Sequence, residues 1–272
     1  MSKLWEQMLL LPRVVRLASR APRDPNAAWE GYWRGIHSTG RSGEVLWDAG
    51  SRNEFAQYSD ALIAHFDPAL PVIDVGCGNG SYTRWLAGHF PSVLGIDVSP
   101  GAVERARSEA DGILNADFMV MDATGAGAGG QLLERVGLAN VFVRGVFHVL
   151  KPDKQASMAA NLRTIIGNTG RVFLTETNFR GNSLAYLQQL GATRRSIPGQ
   201  LERALENLPR PGHFGARERH SIFPDTHWKV ITDGPVNIEV ALVNSTGLPQ
   251  QVPGYFAILT GAAGPGQERE QL

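Results

Sequence analysis

The sequence predicts an α/β fold: a doubly wound, mostly parallel sheet with helices on both faces, a helical N-terminal cap and a lid insertion. Three observations predict it. Short apolar runs between residues 72 and 177 alternate with segments of helical period. The first run, Val72-Ile73-Asp74-Val75, passes straight into Gly76-Cys77-Gly78-Asn79-Gly80. Successive runs carry a carboxylate at or near their C-terminal end, Asp74, then Asp97, then Asp122, and that is the end at which open α/β sheets bind ligands.

Residues 1–52 read as the cap. Leu4, Met8, Leu11 and Val15 recur at helical spacing with Arg13, Arg16 and Arg20 among them, and Pro12 interrupts the pattern. Glu6, Pro12 and Arg13 break the apolar stretch too early for a membrane span, and no cleavable signal pattern is evident. A basic amphipathic segment over residues 1–20 is compatible with a membrane surface, although a packing helix is its commoner use. Trp29, Tyr32 and Trp33 share a helical face and, with Trp47, make an aromatic cluster whose plainest role is core packing.

The main domain is expected over residues 53–272. Asn53 to Phe66 predicts one helix, with Phe55, Tyr58, Leu62, Ile63 and Phe66 on one side and a stop before Pro68. A helix over Ser81 to Phe90 follows the glycine turn, and Val93 to Ser99 supplies the next strand. Ser99 then caps a helix that has Pro100 at its first position. After the strand that ends at Asp122, Thr124 to Gly130 reads as a flexible linker, because no lysine follows to make it a phosphate loop. A short helix over Gln131 to Val136 leads into a strand beginning at Asn140, a helix over Lys154 to Ile166, and a strand over Gly170 to Thr177. Residues 179–225 read as a lid with helices near Ser183 to Leu190 and Gln200 to Leu208. Beyond it, Trp228 to Ile231, Val236 to Val243 and Tyr255 to Thr260 are rich in β-formers.

The glycine spacing narrows the chemistry. A dinucleotide fingerprint needs G-x-G-x-x-G, and Ser81 stands where its third glycine belongs. Asp74-Val75-Gly76-Cys77-Gly78-Asn79-Gly80 instead resembles motif I of the class I (Rossmann-like) methyltransferases that use S-adenosylmethionine. The resemblance covers roughly Asn53 to Thr260, outside the insertion. It implies a seven-stranded sheet with an antiparallel C-terminal strand, and a cap segment, residues 1–52, that folds over the cofactor as part of the acceptor pocket.

On that resemblance the cofactor, S-adenosyl-L-methionine, lies against Asp74, Gly76, Cys77, Gly78 and Gly80. Asp97 accepts from both ribose hydroxyls, with Val98 beside it, and Asp122 with Ala123 meets the adenine. Arg144 and Gly145 line the methionine end. Arg144 is also an anion-binding candidate for the acceptor, or a partner for Glu176. His148 is a candidate general base, against the plainer reading of a packed loop histidine, and Glu176 is a further candidate. The D/N-P-P-Y signature of nucleic-acid N-methylating enzymes is absent. The expected reaction is methyl transfer to a small natural-product or lipid-like acceptor, with oxygen favoured. The alternatives are non-methylating chemistry with the same cofactor and a non-catalytic nucleotide-sensing scaffold.

Composition removes other classes. A formal net charge of +0 gives no field to draw the chain to nucleic acid. Cys77 is the single cysteine, so a disulfide framework and a cysteine metal site are excluded and a cytoplasmic setting is expected. His213, His220 and His227 recur in a proline-broken stretch that puts them on no common helix face, so no metal is expected. Arginine far outnumbers lysine, which fits a GC-rich bacterial source, and a homodimer is compatible with the chain.

Overall fold

The computed structural model describes residues 3–49, 53–243 and 249–262. In chain order the helices and strands are α1 (Lys3–Ala18), α2 (Pro25–Arg34), α3 (Asn53–Ala56), α4 (Ser59–His65), β1 (Val72–Val75), α5 (Ser81–Ala87), β2 (Val93–Asp97), α6 (Pro100–Glu109), β3 (Ala116–Val120), α7 (Ala128–Val136), β4 (Asn140–Arg144), α8 (Pro152–Ile166), β5 (Val172–Thr177), α9 (Ser183–Gln189), α10 (Gly199–Asn207), α11 (Ala216–Ile222), β6 (Trp228–Val243) and β7 (Pro249–Gly261). The sheet has seven strands in the order β3-β2-β1-β4-β5-β7-β6. Strands β1 to β5 are parallel, and β7 runs antiparallel to both β5 and β6. The reversal in strand order at β1 opens the crevice where ligands of such sheets bind.

The strands are buried on both faces because helices cover both. Successive residues alternate between two cores. Val72, Phe142, Phe173 and Ile258 face one side with Leu62, Leu86 and Leu201. Ile73, Val141, Val143, Val172 and Leu174 face the other with Met158, Leu162 and Ile166. On the first side Phe142 and Phe173 stack at 5.2 Å, and Phe55 and Tyr82 extend the stack upward to the strand ends.

Several sequence expectations are corrected. Asn53 to Phe66 is two helices: the backbone leaves helical geometry at Tyr58, where φ is −139°, and the buried Tyr58 hydroxyl donates to Glu54. The supposed linker at Thr124 to Gly130 already contains the first turn of α7, which Gly127 opens with a positive φ. The two β-rich stretches near the C-terminus form one long strand, β6, and Pro235 is tolerated in it because β6 lies at the sheet edge. In α1, Pro12 does not end the helix, and the inward stripe is Leu10, Val14 and Leu17; Met8, Leu11 and Val15 face solvent. The side chain of Leu4 lies outside the described residues. None of the described helices is long and apolar enough to cross a membrane.

Candidate active site

Gly76, Gly78 and Gly80 all adopt positive φ, at 73°, 54° and 72°, so the alternate-glycine spacing reflects backbone that L side chains disfavour. Space is equally short. A Cβ on Gly76 would lie 2.5 Å from Val146 Cγ2, and one on Gly78 would lie 2.8 Å from Trp33 Cζ2. The loop is therefore sandwiched between the turn after β4 and helix α2 of the cap.

Two of the predicted carboxylates, Asp97 and Asp74, stand at this loop and the helix it opens, while Asp122 bonds within its own turn after β3. Asp97 Oδ2 accepts from the Gly78 amide at 3.0 Å and Oδ1 from the Ser99 amide at 2.9 Å, which leaves each oxygen further acceptor capacity. Asp74 accepts from the Thr83 hydroxyl at 2.6 Å. Asp122 Oδ1 accepts from the Thr124 amide and hydroxyl. Burial pushes the Asp97 carboxyl up to about 6 against the bonds from Ser99, Gly78 and Val98, with Glu30 adding to the rise. Burial likewise pushes Asp74 up to about 7 against the Thr83 bond, with Asp97 adding to the rise.

Val98 is part-exposed beside Asp97, and Ala123 is buried next to Asp122. Cys77 lines the cavity described below, but its backbone N–H is committed to the Ile96 carbonyl and its side chain packs with Val103, Ala106 and Phe118. Burial drives the thiol well above its ordinary range. Its contribution to a ligand is therefore steric.

The ends of β4 and β5 divide between the two sheet faces. Arg144 does not pair with Glu176, which has the opposite side-chain parity. Its guanidinium grips Glu54 of α3 through two bonds, at 2.7 and 2.6 Å, and lies 4.9 Å over the Tyr82 ring. Glu54 also accepts from Tyr58 and from the Glu239 amide. On the other face Glu176, fully buried, accepts from the Val146, Phe147 and His148 amides and from His148 Nδ1 at 2.6 Å. Glu176 is thus an anchor for the turn after β4 and has no open path to a substrate, contrary to its expected place in the cleft. His148 is held by Nδ1, its Cε1 would lie 3.8 Å from a Cβ on Gly145, and no hydrogen bond engages Nε2 among the described residues. A carboxylate-held imidazole with its second nitrogen free is the arrangement of an oriented general base.

A cavity of about 40 Å³ sits at the centre, lined by Asp74, Gly76, Gly78, Tyr82 and Arg144 together with Trp47 and Asp48 of the cap. Trp33, Trp47, Asp48, Glu54 and Tyr82 were not among the predicted site residues. The aromatic cluster was the available signal for the tryptophans, and its rings pack at 5.0 to 6.3 Å. Asp48 left no such signal; it accepts from Asn79 and the Gly40 amide across a loop that has no period to read. Among the described residues no three histidine, cysteine or acidic side chains group as metal ligands; His213 and His220 instead approach Glu218 and Asp225.

Residues 72–170 match the family described as "Methyltransferase domain". Aklanonic acid methyltransferase DauC of Streptomyces sp. (strain C5) is 31% identical over 121 residues, which are 43% of this chain and 52% of that protein. Trans-aconitate 2-methyltransferase of Methylobacterium nodulans is 36% identical over 75 residues, 25% of this chain and 29% of that protein. The chain thus spans about half, or less, of the curated relatives it matches. A solved S-adenosylmethionine-dependent methyltransferase from Anabaena variabilis superposes with a TM-score of 0.79 at 27% identity, covering 89% of this chain and 97% of that one.

Two predictions follow from the charges. Glu54→Leu leaves the Arg144 cation buried without its partner and is expected to cost about 3–5 kcal/mol in urea unfolding, most of it recovered in Glu54→Leu/Arg144→Met. Asp74 binds its proton more tightly in the folded chain than its ordinary value of 3.8, so its stabilising effect is complete below that value and is lost as pH rises through about 7. Unfolding measured from pH 5 to 8 should therefore turn against wild type relative to Asp74→Asn by about 2 kcal/mol.

Proposed function

We propose that this chain, a class I S-adenosylmethionine-dependent methyltransferase through its domain at residues 72–170, methylates an oxygen of a small organic acceptor. The observation that carries the reading is the glycine loop itself, three positive-φ glycines with Asp97 bonded to the Gly78 amide and Asp74 to Thr83 of the helix that the loop opens. The donor set suits the ligand. Ribose hydroxyls, an adenine amino group and an α-ammonium are donors, and a sulfonium is a cation, so carboxylates and a loop without Cβ atoms are what they require.

Asp97 is proposed to take the ribose through its remaining acceptor sites, and Asp122 the adenine amino group. Asp48, Asp74 and Arg144 line the small cavity together, a mixture of carboxyl groups and a cation that would suit the zwitterionic methionine end. Arg144 is already neutralised by Glu54, so it orients a carboxylate locally without opposing a sulfonium through an uncompensated positive field. When bound, S-adenosylmethionine supplies an electrophilic methyl group. The protein's work is then to hold the acceptor in line, exclude water and remove one proton.

His148 is proposed to take the acceptor's hydroxyl proton at Nε2, while Glu176 holds Nδ1–H and stabilises the imidazolium that forms. Residues 179–225 are the proposed acceptor lid. The Gly212 amide donates to the His148 carbonyl at 2.7 Å and the Phe214 amide to Thr177 at 2.8 Å, so this segment is tied to the end of β5 and to the base itself. The relatives' names give aklanonic acid and trans-aconitate, both small organic acids, and support a small oxygenated acceptor.

Calorimetry tests the cofactor: S-adenosylhomocysteine should bind wild type, and Asp97→Ala should bind it about 10- to 100-fold more weakly, a loss of ~1.5–3 kcal/mol. Unchanged affinity would remove Asp97 from the ribose. With isotopically labelled methyl donor and a panel of phenols and hydroxy acids, His148→Gln should lower kcat by about 10²-fold or more at unchanged cofactor affinity. Full turnover in that variant would exclude the histidine as base.

A further inference from the structure

Helix α1 carries apolar side chains on two faces. Leu10, Val14 and Leu17 point inward and pack in a large core with Leu187, Leu190 and Leu201. Met8, Leu11 and Val15, spaced by three and four residues, form a second stripe that faces solvent, with 61%, 46% and 57% of their surfaces exposed. Leu9, 47% exposed, borders that stripe. These four are half of the eight exposed large hydrophobics among the described residues, and all four fall on two turns of one helix. Folded domains scatter such side chains singly, so their collection here marks a contact surface.

One flank of the stripe is cationic. Arg13 and Arg20 are paired with Glu202 and Glu206 of α10. Arg16, which lies between them along the same flank, is exposed and has no ion partner among the described residues. The Arg13 guanidinium also donates to the Arg195 carbonyl, which sets the loop at residues 193–196 beside the middle of α1. Arg194 and Arg195 are exposed in that loop, and no described carboxylate pairs with either. Nothing nearby offsets the three free arginines: the only acids of α10 are the two bonded to Arg13 and Arg20, and α9 and the loop contain none.

An apolar stripe edged by unpaired cations is the pattern of a helix lying in an anionic lipid interface, with its alkyl groups among the acyl chains and its arginines at the headgroup phosphates. A second copy of the chain meets the same stripe less well. An antiparallel two-fold pair of α1 helices sets the same flank of each together, so arginine would face arginine. A bilayer with anionic headgroups meets that flank with the opposite charge.

We propose that α1 is an interfacial helix that seats this protein on an anionic lipid bilayer, with the Met8, Leu11 and Val15 stripe inserted and Arg16, Arg194 and Arg195 against the headgroups. The lipid contact stands apart from the cofactor reading given above; only its consequence for the acceptor rests on that reading. Helix α1 packs on α9 and α10 of the proposed acceptor lid, with Gln7 bonded to Gln188 at 3.0 Å, so the surface that holds α1 also lies next to the lid.

The test is flotation of the full chain with unilamellar vesicles, of phosphatidylcholine alone or of phosphatidylcholine mixed equally with phosphatidylglycerol. Wild type should float with the anionic vesicles and about 10-fold less with the neutral ones, and salt at about 1 M, where the screening length falls to roughly 3 Å, should lower the bound fraction several-fold. Met8→Ser/Leu11→Ser/Val15→Ser and Arg16→Glu/Arg194→Glu/Arg195→Glu alter only exposed side chains, so each should keep the wild-type circular dichroism spectrum and lose flotation by about 10-fold or more. Absence of wild-type flotation with the anionic vesicles refutes the proposal. So does undiminished flotation of either folded variant, because the contact then lies elsewhere, and equal flotation on neutral vesicles, because charge then plays no part. Sedimentation velocity covers the other occupant: a wild-type dimer that the serine variant converts to a monomer gives the stripe to a second copy and removes the lipid contact.

Discussion

The Asp97 carboxylate stands at the junction on which the site depends. One oxygen accepts from Gly78 in the turn after β1, the other from Ser99 at the cap of α6. It therefore staples two adjacent strand-to-helix turns to each other before any ligand is considered. Burying a carboxylate is costly unless hydrogen bonds replace water, and here backbone N–H groups do so at the two places where the chain reverses. Burial still pushes the Asp97 carboxyl up, with Glu30 adding to the rise. A ligand with further hydrogen-bond donors would offset that burial, so the group that shapes the loop is also suited to receive one.

The two faces of the sheet handle charge in different ways, and strand parity decides which. Arg144 follows Phe142 and Glu54 meets it on one face; Glu176 follows Leu174 and meets His148 on the other. Adjacent strand ends thus carry four ionisable groups without a cross-pair. The Glu54–Arg144 pair ties the cap-side helix α3 to β4. The Glu176 carboxylate accepts three backbone amides, so it fixes the turn that holds Val146 against Gly76 and orients His148. The first couple is a strut. The second positions a ring.

What could be read in the sequence was whatever local geometry forces. Gly76, Gly78 and Gly80 were legible because positive φ and close contacts demand glycine, and Asp97 because a strand must end somewhere and an acidic end is conspicuous. The two-core strand pattern was legible through continuous apolar runs. Glu54 and Asp48 were not: their roles depend on chain that folds back from before β1 to meet β4 and the glycine loop, and nothing in a helical or alternating period records a tertiary partner. The assignment of Glu176 to the cleft failed for the same reason. Its position at the end of β5 was correct, but the turn after β4 curls its amides onto the carboxylate, which no spacing shows.

The cap shows why sequence-distant elements matter to the chemistry. In-line methyl transfer needs a dry, aligned pair of reactants, yet a pocket closed enough to exclude water is closed to its ligands as well. A single rigid wall cannot satisfy both conditions. Here sequence-distant chain supplies part of the enclosure: Trp33 of α2 closes on Gly78, and Trp47 and Asp48 line the cavity beside Asp74 and Arg144.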